Sequence, residues 1–187
     1  MKKLSLNVMG LVFSAFLVAS CTAETAAPQA DKAQRSNVIS PLTQDEVNRL
    51  NSMEQEWAAS IDKAVPFIRQ KNSSSAGAYI KKAADIISGM KDLLIKKGYN
   101  AGAVDRLVAM ERLTGAYMNM ARIAGYANDP RAAARDLQKV RALFNDTRQK
   151  LLEAREKFHE LPPLQELCRQ FLGILDEFER EIKKLVS

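Results

Sequence analysis

Inward-facing positions recur at steps of four and three residues along much of the chain, and the longest uninterrupted series runs from Asp129 to Leu161. Its members are Ala133, Leu137, Val140, Phe144, Thr147, Leu151, Ala154, Phe158 and Leu161. This spacing keeps one stripe on one side of a helix for about four heptads, as in a helix packed lengthwise against others. We predict a helix about 48 Å long, beside which every other helix packs.

The ends of this helix carry boundary signals of their own. Asp129 is a favoured N-cap residue, and Pro130 takes the first helical position, where its missing N–H costs nothing. Pro162 and Pro163 predict the end of the helix, because a proline in a helix interior removes a backbone hydrogen bond.

Four further segments show the same periodicity. The first starts at Thr43, which pairs with Glu46 in a potential capping box, and Pro66 is expected to kink or end its last turn. The serines at 73–75 predict the N-cap of the second helix, and Gly98 predicts its C-terminal cap.

The remaining boundaries complete the predicted fold. Asn100 is expected to cap the third helix and Gly125 to end it, while the last helix follows the two prolines. Short loops between such helices predict an all-α fold, an antiparallel up-and-down bundle of four to five helices. Residues 113–143 resemble a single tetratricopeptide-type hairpin, so a repeat fold is the alternative, although no second copy follows.

Three features of these helices bear on possible chemistry. Glu54 falls at an inward position of the first helix, and we predict that it lies at the rim with Met53 turned inward instead. Cys168 takes an inward position of the last helix and is predicted to be buried and inert. The third helix carries soft apolar residues that we assign to the core: Met110, Tyr117, Met118 and Met120.

The N-terminus follows a different pattern. Lys2 and Lys3 precede a largely apolar run at 4–18, and the run closes on Leu-Val-Ala-Ser before Cys21. This arrangement resembles the lipobox of bacterial lipoproteins, which implies cleavage before Cys21 and acylation of its sulfur and its new amino group. Two or three acyl chains anchor a protein firmly, since each buried CH₂ contributes about 0.8 kcal/mol. The alternatives are an uncleaved signal anchor, for which the run is short, and an ordinary secretory signal.

The resemblance divides the chain into a signal peptide at 1–20, a disordered tether at 21–42 and a helical bundle at 43–187. The tether is rich in Ala, Thr, Gln, Ser and Pro, and it would span roughly 25 Å. Thr22 stands where an Asp would imply retention at the inner membrane, so the resemblance implies an outer-membrane address. Whether the bundle faces the periplasm or the cell surface is open.

Catalytic and metal chemistry have few candidate residues. The chain has 1 histidine, His159, which forms a Glu-x-x-His step with Glu156 on one helical face. A di-iron bundle needs that motif twice, and no Ser-His-Asp or Cys-His set or phosphate-binding glycine loop is present in the sequence. We predict a non-enzymatic protein without catalytic residues, metal or cofactor.

Charge is unevenly spread and supplies the one candidate binding surface. Residues 96–150 contain eleven basic and five acidic residues, a balance of +6. The predicted binding face comprises Arg106, Arg112, Arg122, Arg131, Arg135 and Lys139. Such a face attracts anions and weakens as salt rises, although a solvated helix surface without function has the same composition.

Two functions fit these observations. The first is a lipid-anchored interaction module that presents the basic face to a protein or a polyanion, with nucleic acid not expected in the envelope. The second is a structural or assembly subunit, or a self-associating helical lipoprotein. The sequence leaves the oligomeric state open.

Overall fold

The computed structural model describes residues 39–159 and 161–186, and 88% of them are helical, with no strand in these ranges. The elements are α1 (Gln44–Arg69), α2 (Ser73–Lys96), a 3-10 turn (Ala101–Ala103), α3 (Asp105–Asn128), α4 (Pro130–Arg135), α5 (Leu137–Lys157) and α6 (Pro162–Val186). The all-α prediction is confirmed, and the helices pack as in a bundle. The described part of the chain has six α-helices rather than four to five.

The first helix begins as its sequence predicts. The Thr43 hydroxyl accepts a hydrogen bond from the Glu46 backbone N–H at 3.3 Å, and the Glu46 carboxylate accepts one from the Thr43 N–H at 2.9 Å. This reciprocal capping box satisfies two N–H groups that would otherwise lack helical partners. Pro66 lies inside α1, which continues to Arg69 because a proline this close to the end disturbs only the last turn.

Both ends of α2 are capped by local signals. The N-cap is Asn72 rather than a serine, and its side chain accepts a hydrogen bond from the Ser75 N–H at 3.1 Å. Asparagine is as good an N-cap as serine, so the cap moves one residue earlier than predicted. At the other end Gly98 adopts φ 84° and Tyr99 donates its N–H to the Leu94 carbonyl at 3.0 Å. The predicted glycine cap is confirmed.

The limits of α3 differ from the prediction. Asn100 caps the 3-10 turn, accepting a hydrogen bond from the Gly102 N–H at 3.1 Å, and α3 starts only at Asp105. Gly125 does not end the helix, which continues to Asn128. A glycine inside a helix costs only about 1 kcal/mol, and the burial of neighbouring apolar side chains on α3 outweighs that cost.

The predicted long helix is interrupted. Asp129 caps α4 as expected, accepting a hydrogen bond from the Ala132 N–H at 3.0 Å, but the helix ends at Arg135. Asp136 forms a turn with φ −105° and ψ 26°, and its carboxylate accepts a hydrogen bond from the Tyr126 hydroxyl at 3.4 Å. Aspartate favours turns and caps over helix interiors, which explains the break at this position. The helix that follows ends at Lys157, short of the two prolines.

The centre of the bundle is α3. Thirteen of its residues are buried, whereas α5 buries five. It contacts each of the other five helices. The prediction that every helix packs beside residues 129–161 was therefore wrong. Small side chains such as Ala109, Ala116 and Ala124 let neighbours approach α3 from several sides.

The helix ends meet at two places. At one, which we call the entry end, Ser40 donates its N–H to the Lys97 carbonyl at 2.9 Å, and Lys157 pairs with Asp105 at 2.5 Å. At the other, the far end, the Asn128 amide donates to the Lys71 carbonyl at 2.7 Å. Lys71 also pairs there with Glu181 of α6 at 2.9 Å.

The predicted tether and signal peptide lie mostly outside the described residues. Leu42 belongs to the predicted tether, yet it is half-buried against the core, so packing begins before Thr43. Cys21 and the lipobox-like run lie outside the described residues. Within those residues, every helix is too polar or too short to cross a bilayer.

Candidate functional site

The structure does not place the six predicted binding residues on one exposed face. Arg106 lies near the start of α3, and its side chain is only 14% exposed. Its Nε donates to the Glu54 carboxylate oxygen Oε1 at 2.5 Å. The assignment of Arg106 to an outer face is therefore wrong, because its guanidinium points into the bundle and is neutralised there.

Glu54 is also not the rim residue that we predicted. It is 1% exposed, and burial raises the pKa of its carboxyl group, an effect that Arg106 partly opposes. Its second oxygen, Oε2, has no hydrogen-bond partner among the described residues. The four-three spacing places Glu54 at an inward position between Leu50 and Trp57. It does not reveal that Arg106, 52 residues later in the sequence, pairs with it.

Arg112 belongs to a row of polar contacts between α3 and α5. Its Nε lies 3.0 Å from the Glu153 carboxylate, which offsets its charge. Further along the row, the Asn119 amide donates to Asp146 at 2.6 Å, and Lys150 also pairs with Asp146. The lysine, and next the amide, lower the pKa of the Asp146 carboxyl group. The row holds two helices together and leaves little net charge for a ligand.

The other four predicted residues stay exposed and lie around the α3–α4–α5 turn at the far end. We call them the far-end basic patch: Arg122, Arg131, Arg135 and Lys139. Arg135 and Lys139 approach Asp136 at 3.5 and 3.6 Å, with side chains 74% and 76% exposed. Ion pairs this exposed contribute about 0–1 kcal/mol, so both cations are available to a partner. Within the described residues, Arg122 and Arg131 form no ion pair.

Two cations that sequence reasoning missed extend this surface. Arg141 of α5 and Lys183 of α6 line an open groove between the two helices. Lys183 pairs with Glu179, one turn before it on α6, at 2.8 Å. The helical spacing marks Arg141 as outward-facing, but only the packing of α6 against α5 brings Lys183 beside it.

The remaining candidates belong to the core or the surface. Cys168 is fully buried as predicted, and burial raises the pKa of its thiol to about 12. Met110, Tyr117 and Met120 are buried as predicted, and Met118 is half-buried.

Glu156 and His159 are both exposed at the end of α5. The His159 ring nitrogen Nδ1 lies 3.2 Å from the backbone carbonyl oxygen of Glu156 rather than beside its carboxylate. No cluster of three or more potential metal ligands occurs in the described ranges.

Comparison with known proteins supplies no family for this chain. It matched no family model, no curated protein and no solved structure.

Proposed function

We propose that this protein is a lipid-anchored envelope protein that uses its helical bundle as a non-enzymatic interaction module. The anchor is the acylated Cys21, in the outer membrane, and the binding surface is the far-end basic patch. The partner is an acidic protein or another polyanion. No cofactor takes part.

We further propose that the helices run up and down in antiparallel order. Two contacts between α3 and α5 support this order, because residues that come early on α3 pair with residues that come late on α5. Asp105 pairs with Lys157 at 2.5 Å, and Asn119 bonds Asp146 at 2.6 Å. In this arrangement a chain that enters at Ser40 and follows the 26 residues of α1 reaches the far end about 39 Å away.

The observation that carries the proposal is the charge at that far end. Residues 122–141 contain five basic and two acidic residues, a balance of +3, and four of the cations form the exposed patch. A tether that joins at the entry end would direct the patch away from the membrane and toward soluble or wall-attached partners. Long-range attraction to such partners falls off over about 8 Å at physiological salt.

A charge reversal tests the patch. The variant Arg131→Glu, Arg135→Glu, Lys139→Glu is compared with Lys81→Glu, Lys82→Glu, Lys96→Glu, which changes the net charge equally at exposed positions of α2. The measurements are the salt concentration that elutes each chain from a polyglutamate resin and the recovery of envelope proteins by the tagged chain. We expect the patch variant alone to lose retention and recovery. Equal losses in the two variants would reject a local site.

The anchor needs a separate experiment. Cells that express the chain or its Cys21→Ala variant are fed labelled palmitate, and the membrane and soluble fractions are compared. We expect label and membrane association in the parent chain and neither in the variant. Labelling of the variant would exclude Cys21 as the acceptor.

A structural or assembly role is the second candidate, and a specific surface favours self-association. Leu152 of α5 is exposed and lies beside the open groove that α5 forms with α6.

A further inference from the structure

The entry end of the bundle carries exposed isoleucines. Three large apolar side chains are exposed in the described residues, and two of them, Ile39 and Ile95, lie at this end with exposed fractions of 52% and 59%. The hydrogen bond from the Ser40 N–H to the Lys97 carbonyl holds their backbones near each other, since Ile39 precedes Ser40 and Ile95 lies two residues before Lys97. A single exposed apolar residue is ordinary, whereas two at one end of a molecule mark a surface that a partner can cover.

The loop that joins α2 to α3 extends this surface. Residues 95–104 contain two lysines and no acidic residue. Gly102 and Ala103 are exposed and small, and Tyr99 is half-buried. Tyrosine is favoured where an apolar phase meets water, and small side chains let a broad partner approach the backbone. We call Ile39 and residues 95–104 together the entry-end surface.

The charges around the entry-end surface are close to balanced. Lys97 pairs with Glu46 at 2.9 Å, and Asp105, which follows the loop, pairs with Lys157 at 2.5 Å. The exposed charges in the first turn of α1 and the last two turns of α2 nearly cancel: Asp45, Asp92 and Lys96. Attraction between opposite charges therefore contributes little here, in contrast to the far-end basic patch, and the apolar side chains decide what this surface binds.

The chain that precedes this surface indicates its partner. Residues 22–38 separate Cys21 from Ile39 and, as a flexible tether, would span about 20–25 Å. We propose that the entry-end surface rests on the bilayer that holds the anchor, with Ile39 and Ile95 inserted among the lipid headgroups. The inference rests on the proposed acylation of Cys21. A tether this short gives an effective concentration in the millimolar range, so even weak insertion of two isoleucines keeps the surface on the lipid.

Contact at the entry end would leave the far-end basic patch free. The 26 residues of α1 place the two ends about 39 Å apart. That distance is several times the screening length of about 8 Å at physiological salt, so charged lipids and the patch do not attract each other. The bundle would stand upright on the membrane and present the patch to partners beyond it.

A polarity-sensitive fluorophore on the acylated chain, purified from cells, tests the orientation. Ala103→Cys places the dye on the entry-end surface and Ala134→Cys places it at the far end, both at exposed positions. Cys168 is buried, and acylation occupies the Cys21 sulfur, so the added thiol takes the dye. On vesicles of phosphatidylethanolamine and phosphatidylglycerol we expect the emission at 103 to rise at least about threefold and that at 134 to stay unchanged. A rise at 134 instead would mean that the basic patch faces the lipid and would overturn the proposal.

Two variants of the Ala103→Cys chain test the isoleucines. Ile39→Ser and Ile95→Ser together are expected to reduce the rise in emission at least about threefold, because they remove the apolar side chains that insert. The matched control is Leu152→Ser, which removes the third exposed apolar side chain, on the side of α5, and is expected to keep the full rise. Equal losses in the two variants would place the contact on the side of the bundle and exclude the entry-end surface.

Two further measurements separate this inference from the proposed function. Flotation of the chain with the vesicles reports the anchor alone: a chain that floats while the dye at 103 stays in water would refute the inference and leave the anchor standing, and a chain without lipid that does not float would refute both. Added salt is expected to weaken retention on the polyglutamate resin but to leave the emission at 103 unchanged, because insertion does not depend on opposite charges. A rise in emission that salt abolishes would mean an electrostatic contact and would contradict the inference.

Discussion

Helices α3 and α5 have similar lengths, 24 and 21 residues, but α3 lies at the centre of the fold and α5 at its edge. α5 carries a regular apolar stripe on one side and solvent on the other, while α3 has apolar or small residues on nearly all sides. A clean stripe marks a helix with one buried face, and a helix buried all round shows only a weak pattern. In this bundle the helix with the more regular apolar pattern, α5, therefore lies at the edge, and α3 lies at the centre.

The difference extends to polar groups. Two polar groups on α3 point inward and find partners on α1: Thr114 accepts a hydrogen bond from the Trp57 indole at 2.8 Å, and Arg106 pairs with Glu54. On α4 and α5 the exposed side bears Arg131, Lys139 and the other cations of the surface. The central helix thus contributes mainly to packing, and the outer helices carry most of the far-end basic patch, to which α3 adds Arg122.

The largest difference in stability between variants of the two helices is expected when an alanine is replaced by a charged residue. Ala116 of α3 is fully buried and Ala142 of α5 is exposed. We expect Ala116→Glu to lower the free energy of unfolding by about 4 kcal/mol or more, because the site lacks both the space and a partner for a carboxylate. Ala142→Glu is expected to change it by less than about 0.5 kcal/mol. Urea unfolding followed by circular dichroism measures both, and equal losses would show that α3 is not the more enclosed helix.

The second effect concerns the buried ion pair on the inner side of α3. Arg106→Met leaves the Glu54 carboxylate buried without its arginine, which costs about 3–5 kcal/mol. The double variant Glu54→Leu, Arg106→Met replaces the pair by apolar groups of similar size and is expected to lie within about 1 kcal/mol of the parent. A double-mutant cycle from urea unfolding gives the coupling. Additive losses would mean that the two side chains act independently.

The same carboxylate predicts a pH dependence. Because the folded pKa of Glu54 is raised above its ordinary value of 4.5, the folded chain binds its proton more tightly than the unfolded chain does. The contribution of Glu54 to stability is thus present in acid and is lost as pH rises from the ordinary value through the raised one. We expect the stability of the parent relative to Glu54→Gln to fall between pH 4 and pH 7. A relative stability that rises over this range would contradict the raised pKa.

The smallest effect is expected at the outer surface. Arg131→Ala, Arg135→Ala and Lys139→Ala together are expected to change the free energy of unfolding by less than about 1 kcal/mol, because these side chains are exposed. The matched comparison is Arg112→Ala, which removes the contact with Glu153 between α3 and α5. A large loss of stability in the triple variant would mean that its cations hold the fold together rather than serve binding.

Much of the secondary structure was predictable because its signals are local. Thr43, Gly98 and Asp129 cap helices where their side chains and backbone preferences indicate. The α2 positions that recur at steps of four and three residues are all buried: Ala76, Ile80, Ala83, Ile87, Met90 and Leu94. Asn72 was missed because several neighbouring side chains can cap the same backbone N–H groups. Asp136 was missed because its side chain forms no local cap and instead accepts a hydrogen bond from the Tyr126 hydroxyl of α3.

The candidate site was predictable only in part. Four of the six predicted cations lie exposed at the far end, while Arg106 and Arg112 pair with carboxylates on other helices. Helical spacing gives the direction of a side chain relative to its own helix, but not the identity of the residue opposite it. The partners of Arg106 and Arg112 are distant in sequence, so no local pattern reveals them.

The sequence by itself determined that the chain forms helices, which side of most of them is apolar and where several begin and end. These properties depend on residues within one or two turns. Tertiary structure decided that α3 is central, that Glu54 is buried with Arg106, and that α5 and α6 enclose a groove beside Leu152. Each of these depends on which helices lie side by side, and the packing of the whole core determines that.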